Sequence, residues 1–352
     1  MGTETLYTEK CNRLGLLTLN RPKVLNALNE KMIMALSTAL RNWQRDPQIY
    51  GVVLEARGER AFCAGADVKQ VSVIGQKDLS AAQAFFEKEY RYNWQLHNFT
   101  KPHIALMNGL VLGGGVGISL YGTHRVAAKD YAFGMPETAI GLIPDVGASW
   151  FLGHLPNSMG LFLALSGRSI NRADAYALGL VTHCIDAEHF SHIKQAISEG
   201  EPVDVLLDAL HEDPGKGELR SRHGWIEAIF SASTLEEIMH RAKALRDESE
   251  GWSQKVHDEL AQKSPTSLHL TQALWKKGRH SSLRRALRRE YNVVANLLAG
   301  PDFHEGVRAM LIDKDKRPAW QSPKLSDISK AELETFFVNE GGELQLEKQM
   351  SV

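Results

Sequence analysis

The chain has 352 residues, of which 43% are apolar and 24% charged, a composition typical of a globular protein built as one large domain or two ordinary ones. Its formal net charge of −1 gives no reason to expect a nucleic-acid or membrane partner, and no apolar run reaches the ~18 residues of a membrane span. Three widely spaced cysteines exclude a disulfide scaffold, and the N-terminal residues lack the marks of a signal or transit peptide. We therefore expect a cytoplasmic protein, with a processed organellar protein as the open alternative.

Strands and helices alternate through the first half of the chain. Asn29 stands where it can cap a helix that carries Met32, Leu36 and Leu40 at helical spacing. Short apolar runs predict buried strands at residues 15–20, 51–56, 104–107, 124–128 and 181–185. This alternation is typical of an α/β fold with right-handed crossovers.

The composition changes near residue 200. Loop-like residues at 201–202 and 213–217 are followed by segments of helical periodicity, and no further strand pattern occurs. The helical segments cover residues 233–244, 253–263, 267–277 and 282–298. We therefore predict an α/β core over residues 1–198 and an α-helical C-terminal region over residues 199–352 that packs on it.

The most informative stretch is residues 108–120. The apolar run before it leads into three glycines, residues 113–115, and then into an apolar helical pattern. Because glycine lacks a Cβ and the first amides of a helix have no internal partner, such a turn can aim a bare N–H at an oxyanion. The alternative is that the glycines serve only the tight packing of a helix on a strand.

Several other kinds of site are excluded by spacing. No Gly-Lys-Ser/Thr follows the glycines, and Ile118 stands where a dinucleotide fingerprint needs its third glycine. Arg308 replaces the second histidine of a zinc helix that His304 would open, and His183 beside Cys184 is an isolated pair. We therefore expect no bound metal.

Segments with the sequences FCAGAD at residues 62–67, GGG at residues 113–115 and MPE at residues 135–137 occur in this order. Together they resemble the crotonase, or enoyl-CoA hydratase/isomerase, superfamily. The resemblance implies an α/β spiral of ββα repeats that binds acyl-CoA thioesters and polarises the thioester carbonyl with two backbone amides. By motif position, these would be the amides of Ala66 and Gly114.

A second set of segments resembles one branch of this superfamily, the hydrolases of short 3-hydroxyacyl-CoA thioesters, over nearly the whole chain. It comprises residues 135–147, 264–267, 302–309 and 311–315. This resemblance implies hydrolysis of a short-branched β-hydroxyacyl-CoA, with 3-hydroxyisobutyryl-CoA of valine breakdown as the first expected substrate. The reaction would need no metal or redox cofactor, since CoA is part of the substrate.

The chain departs from the hydratases in its carboxylates. A hydratase typically holds one water with two glutamates, and the first belongs three residues beyond Gly114, where this chain has Gly117. Glu137 remains of the pair, and Asp145 stands where hydratases tend to have glycine. The sequence therefore disfavours hydration by paired glutamates and leaves thioester hydrolysis open.

Glu137 is the predicted reacting carboxylate, held in place by the turn that Pro136 fixes. It would act as a general base on water or as a nucleophile that forms an anhydride, and the sequence leaves both open. A glutamate that satisfies helix-start amides is the alternative. Asp145 is predicted to orient the substrate hydroxyl or water, or to protonate the leaving thiolate, against the alternative of a plain N-cap aspartate.

Two further residues are predicted to contact the substrate. The resemblance implies that Glu89 accepts a hydrogen bond from the 3-hydroxyl, whereas a lone helix glutamate would otherwise lie on the surface. Lys23 is a candidate partner for the phosphates of CoA. A group of arginines further along is more readily explained as a solvated basic face: Arg284, Arg285, Arg288 and Arg289.

Two competing functions stay open. One is an enoyl-CoA hydratase or isomerase that uses Glu137 alone, and the other is a non-catalytic subunit that binds acyl-CoA. Members of the superfamily often form trimers, so a homo-oligomer is one expectation, although the helical C-terminal region could cover the surface that would assemble.

Overall fold

The structure is a computed structural model that describes residues 5–338 and 342–346, so the outer ends of both predicted parts lie outside the described residues. The strands are β1 (Leu6–Cys11), β2 (Leu14–Leu19), β3 (Gly51–Ala56), β4 (Ala61–Cys63), β5 (His103–Met107), β6 (Leu110–Leu112), β7 (His124–Ala127), β8 (Ala132–Gly134), β9 (Ile170–Asn171) and β10 (His183–Cys184). The helices of the first half are α1 (Glu30–Arg45), α2 (Val68–Gly75), α3 (Leu79–His97), α4 (Gly114–Leu120), α5 (Ala148–Phe151), α6 (Met159–Ser166), α7 (Arg172–Ala177) and α8 (Phe190–Glu199).

The described part of the second half contains helices and loops and no strand. Its helices are α9 (Val203–Leu210), α10 (Leu219–Phe230), α11 (Leu235–Ala244), α12 (Trp252–Leu260), α13 (Pro265–Gly278), α14 (Leu283–Ala299), α15 (Pro301–Val307) and α16 (Lys330–Thr335). A π-helical turn, Arg308–Ile312, follows α15. None of the described helices combines the length and the apolar character that crossing a membrane requires.

Two sheets share the strands of the first half. The larger has the order β1-β2-β3-β5-β7-β10, parallel except for the edge pair β1 and β2. The smaller has the order β4-β6-β8-β9, with β9 antiparallel to β8. In each of the successive pairs β3–β4, β5–β6 and β7–β8, the first strand belongs to the larger sheet and the second to the smaller one. A helix or helical turn follows each pair. This arrangement confirms the predicted spiral of ββα repeats.

The smaller sheet was not predicted, because its strands are too short to show a period. β4, β6 and β8 have three residues each, and two or three alternations cannot be told from a loop. The predicted strands of the larger sheet agree with the structure within one or two residues at each end. Asn29 caps α1 as expected, because its side chain accepts a hydrogen bond from Met32 N at 3.0 Å.

The helical second half packs directly on the sheets and helices of the first. The side of α14 that carries Leu287 and Val294 is buried, and Tyr291 of this helix meets Tyr90 of α3 edge-on at 6.2 Å. Phe162 of α6 meets Phe230 of α10 in the same way at 5.3 Å. Buried side chains of both halves form one continuous apolar cluster. The division at residue 198 into two domains stays a prediction.

Candidate active site

The glycine stretch forms a turn between β6 and α4. Gly113 has a left-handed φ of 50°, and its amide donates to the Gly134 carbonyl oxygen of β8 at 3.2 Å. A Cβ at Gly113 would stand 2.5 Å from Oε1 of Glu137, and a Cβ at Gly114 would collide with Oε1 of Glu89. The glycines therefore let two carboxyl groups approach the backbone at the start of α4.

The amide of Ala66, in the segment between β4 and α2, lies close to Gly114 of this turn. Ala66 forms an isolated bridge with Leu28, but the bridge uses the carbonyl of Gly65 and the amide of Asp67, each at 2.8 Å. Gly114 is the first residue of α4, so its amide has no acceptor inside the helix. The nitrogen of Ala66 is 3.3 Å from the position of a Cβ on Gly114. No described residue accepts a hydrogen bond from either amide.

Glu137 faces these amides from the 3₁₀ turn Glu137–Ile140 that follows Pro136. The side chain is buried, and its Oε2 atom has no hydrogen-bond partner among the described residues. Burial and the negative charge of Asp145 raise the pKa of Glu137 well above its ordinary value, although its own backbone amide opposes the shift. The carboxyl thus lies close to the glycine turn, and its Oε2 atom is free to contact a ligand.

Asp145 lies in a strained loop whose geometry is fixed from three sides. The Tyr90 hydroxyl donates to Asp145 Oδ2 at 2.7 Å, and the Tyr121 hydroxyl donates to the Val146 carbonyl oxygen at 2.6 Å. Val146 has a φ of 51°, a conformation that β-branched residues rarely adopt and that is typical of functional sites. The N-cap interpretation of Asp145 is wrong, because Gly147 occupies the cap of α5.

The third constraint on this loop comes from Glu290 of α14, which the sequence interpretation missed. Its buried carboxylate accepts hydrogen bonds from Gly147 N at 2.6 Å, from Ser149 N at 2.8 Å and from the Ser149 hydroxyl at 2.5 Å. A signal was present, since Glu290 interrupts the apolar side of a predicted helix between Leu287 and Val294. A carboxylate at such a position needs buried partners.

The side chains of Glu89, Glu137 and Asp145 form a group of buried carboxyls that share one environment. Burial raises the pKa of Asp145 to about 7, against an opposing hydrogen bond from Tyr90. Burial, followed by repulsion from Asp145, raises the pKa of Glu89 well above its ordinary value. The negative charge of Asp145 therefore adds to the effect of burial in raising the pKa of the other two carboxyls, as expected for like charges in a low dielectric.

Glu89 lies on α3 and points into the site. Only 1% of the residue is exposed, and its Oε1 atom has no partner among the residues that the structure describes. The alternative of a surface glutamate is therefore wrong. The substrate contact implied for Glu89 stays a prediction.

The place where a hydratase would have its first glutamate is closed. A Cβ at Gly117 would stand 2.8 Å from Nδ2 of Asn93 and 2.8 Å from Cβ of Val146. A longer side chain there would require α3 or the Asp145 loop to move. A glutamate therefore cannot replace Gly117 unless the surrounding residues change as well.

The predicted cationic residues are Lys23 and the four arginines of α14. Lys23 is exposed in the 3₁₀ turn Pro22–Val24, and its contact with CoA stays a prediction. Arg284 and Arg288 donate to the carbonyl oxygens of Leu346 and Leu344 at 3.1 and 3.2 Å, so they fasten the C-terminal segment and are not a purely solvated face.

A spiral of ββα units with two free amides at a glycine turn defines the crotonase class of α/β proteins. The sequence model of the enoyl-CoA hydratase/isomerase family matches residues 14–337. The chain belongs to this family.

The chain is similar to curated proteins named 3-hydroxyisobutyryl-CoA hydrolase, mitochondrial. The one from Homo sapiens is 36% identical over 350 residues, covering 97% of this chain and 90% of the relative. The one from Xenopus tropicalis is 37% identical over 348 residues, covering 96% and 89%.

Two solved structures share the fold over nearly their whole length. A carnitinyl-CoA dehydratase from Mycobacterium thermoresistibile has a TM-score of 0.92 at 31% identity and covers 99% of this chain and 100% of its own. An enoyl-CoA hydratase from Rhodobacter sphaeroides has a TM-score of 0.90 at 32% identity and covers 97% and 100%. The relatives are therefore named as a hydrolase, a dehydratase and a hydratase, and the geometry of the site has to distinguish between these reactions.

Proposed function

We propose that the protein hydrolyses 3-hydroxyisobutyryl-CoA, or a similar short β-hydroxyacyl-CoA, to the free acid and CoA in valine breakdown. The observation that carries the proposal is the closed space at Gly117, which leaves Glu137 at the glycine turn without the second glutamate of a hydratase. The names of the curated relatives, which match over nearly the whole chain, support the same reaction.

In the proposed reaction the thioester carbonyl oxygen accepts hydrogen bonds from the amides of Ala66 and Gly114. Attack on the carbon places negative charge on this oxygen, and each such donor is worth about 2.7–4 kcal/mol of barrier in other enzymes. Glu137 either takes a proton from the attacking water or attacks the carbon itself. Asp145 orients the hydroxyl or water, or supplies a proton to the departing thiolate.

The two routes differ in the bonds that form and break. With Glu137 as base, the water oxygen bonds to carbon, the C–S bond breaks and the thiolate leaves as free CoA. With Glu137 as nucleophile, its oxygen displaces the thiolate to give an anhydride that water then opens. A single turnover in oxygen-18 water tests the second route: when water opens the anhydride at the carboxyl carbon of Glu137, the label enters this carboxylate, which cannot occur in the first route.

One assay separates the proposed function from its competitors. Release of free thiol from 3-hydroxyisobutyryl-CoA is measured beside hydration of crotonyl-CoA. Thiol release without hydration supports the hydrolase. Hydration of crotonyl-CoA without thiol release would identify a hydratase, the activity in the name of one structural relative. Binding of the acyl-CoA without either reaction would identify a non-catalytic subunit.

The remaining expectations belong to the same proposal. Acyl-CoA is the partner, Lys23 contacts its phosphates, and hydrolysis transfers no electrons and so calls for no redox cofactor. Among the described residues, no group of three His, Cys, Asp or Glu side chains could hold a metal ion. A homo-oligomer, the lack of nucleic-acid and membrane partners and the cytoplasmic location stay predictions, and the printed names of the curated relatives place those proteins in mitochondria.

A further inference from the structure

Two helices cross so that polar side chains of α3 lie against glycines of α4. Glu89 and Asn93 are four residues apart on one side of α3, and Gly114 and Gly117 are three residues apart on one side of α4. A Cβ at Gly114 would meet the Glu89 carboxyl, and a Cβ at Gly117 would meet the Asn93 amide. The glycines of α4 therefore make room for two polar groups, of which the sequence interpretation named only Glu89.

Asn93 is fully buried, yet both Nδ2 and Oδ1 lack a hydrogen-bond partner in the described part of the chain. A buried polar group without a partner costs about 1–3 kcal/mol, so a ligand that pairs with it gains affinity and selectivity. Oε1 of Glu89 and Oε2 of Glu137 are unpartnered in the same way. Asn93 thus shares the feature that marks the two site carboxyls.

The position of Asn93 suits a group two carbons away from the thioester carbonyl. Gly114, whose amide would face the carbonyl oxygen in the proposed reaction, and Gly117, which adjoins Asn93, are separated by about 4.5 Å along the axis of α4. A three-carbon acyl chain built from bonds of about 1.5 Å covers a similar length. A hydroxyl on the third carbon has one proton to donate and lone pairs that accept, and the amide of asparagine offers both complements.

We propose that Asn93 hydrogen-bonds the 3-hydroxyl of the bound acyl group and so makes the site select 3-hydroxyacyl thioesters over plain acyl thioesters. The inference rests on the proposed function, because it assumes that the acyl group enters beside Gly114. Glu89, one turn earlier on α3, accepts the proton of the same hydroxyl while the Asn93 amide donates to its oxygen. The hydroxyl is then held between one acceptor and one donor.

The test uses two unreactive thioethers of CoA, one with a 3-hydroxy-2-methylpropyl group and one with a 2-methylpropyl group. Calorimetric titration gives the dissociation constants of both for the unaltered protein and for Asn93→Ala. We expect the unaltered protein to prefer the hydroxylated thioether by about tenfold or more, and the variant to prefer it by less than about threefold. Asn93→Leu, which keeps the branched shape of the side chain but removes its polar atoms, serves if the alanine variant does not fold.

Asn292→Ala is the matched control. Asn292 lies on α14, and its buried Oδ1 also lacks a partner among the described residues, while its Nδ2 donates to the Phe337 carbonyl oxygen at 3.1 Å. We expect this variant to keep the full preference, because Asn292 contacts the C-terminal segment and not the carboxyl group of Glu89. A preference lost in both variants would point to general loosening and would overturn the inference.

The inference is overturned as well if the unaltered protein shows no preference. It is also overturned if Asn93→Ala retains the preference, which includes the case in which the variant binds both thioethers equally more weakly. Failure of the proposed function gives a different result: the unaltered protein then releases no free thiol from 3-hydroxyisobutyryl-CoA. The thioethers do not react, so their titration measures selection of the hydroxyl even in that case.

Discussion

The α/β half of the molecule carries the groups that would react, and the helical half carries the groups that hold them. Glu137 and Asp145 stand on turns that follow short strands and are recognisable by motif. Their supports come from much further along the chain, since Glu290 fixes the Asp145 loop from α14. The helical half is therefore part of the construction of the site and not an appended cover.

The turn of Glu137 is held by the helical half in the same way. The amide of Ser264, the cap of α13, donates to the Thr138 carbonyl oxygen at 3.2 Å, and the Ser264 hydroxyl donates to Asp302 Oδ2 at 2.8 Å. A Cβ at Gly306 of α15 would collide with the backbone of Ile140. The segments at 264–267 and 302–309, which carry the resemblance to hydrolases, thus clamp the turn on which Glu137 lies.

The largest effect is expected from the reacting carboxyl of the α/β half. Glu137→Gln should lower kcat for 3-hydroxyisobutyryl-CoA by about 10³-fold, within the range that loss of a general base gives in other enzymes. The fold should be retained, because glutamine has the shape of glutamate and carries no acidic group into the buried site. Thiol release in the steady state measures the rate, and thermal unfolding checks the fold. A folded variant with near-normal turnover would remove Glu137 from the mechanism.

Asp145→Asn is expected to have the next largest effect, a fall in kcat of about 10²-fold. Burial and the charge of Asp145 raise the pKa of Glu137, and Glu137 has to lose its proton to act. In the unaltered protein kcat/KM should therefore rise with pH up to values above the ordinary range of a glutamate. In the variant the rise should occur at lower pH. A pH profile of the same shape and position in both proteins would contradict the coupling.

The buried carboxyl of Asp145 should also make the stability of the protein depend on pH, with stability falling as the pH rises. Burial raises the pKa of Asp145 from 3.8 to about 7, so the folded state binds this proton more tightly than the unfolded state. The stabilisation is complete below about pH 4 and is lost as the pH rises toward 7. We expect the free energy of unfolding to fall less over this interval in Asp145→Asn, as measured by urea titrations at several pH values. An equal fall in both proteins would show that other groups dominate.

Glu290→Gln tests whether the helical half acts on the chemistry. Glutamine keeps one carbonyl oxygen, so either the Gly147 amide or the Ser149 amide loses its acceptor, and the Asp145 loop relaxes. We expect kcat to fall by about tenfold with a smaller change in KM, and stability to fall by about 1.5–3 kcal/mol for the lost charged hydrogen bond.

Glu227→Gln is the control for this variant. The Glu227 carboxylate accepts from Ser158 N at 2.9 Å, a bond of the same kind that holds no part of the candidate site. We expect it to lower stability without lowering kcat. If Glu290→Gln behaves in the same way, the helical half contributes only to folding, and the comparison between the two halves fails.

The two halves also differ in how much of them the sequence could predict. A strand such as β3 is predictable because a short apolar run between polar residues is typical of a buried strand, and the glycine turn is predictable because its motif is local. Glu290 and Asn93 were missed because their roles depend on which helix lies opposite, which no spacing within α14 or α3 specifies. The charge of Glu290 on an apolar helix side was nevertheless a readable sign of a buried partner.

The smallest effect is expected at the surface of the α/β half. Lys23 is exposed, and an exposed charge that meets a phosphate is worth little in water. We expect Lys23→Ala to raise KM by about two- to fivefold with kcat nearly unchanged, and to weaken the dependence of KM on ionic strength. Lys243→Ala, at an exposed position of α11, should change neither quantity. If KM and its salt dependence are unchanged in Lys23→Ala, the phosphates of CoA are bound elsewhere, and the helical half becomes the first place to search for their partners.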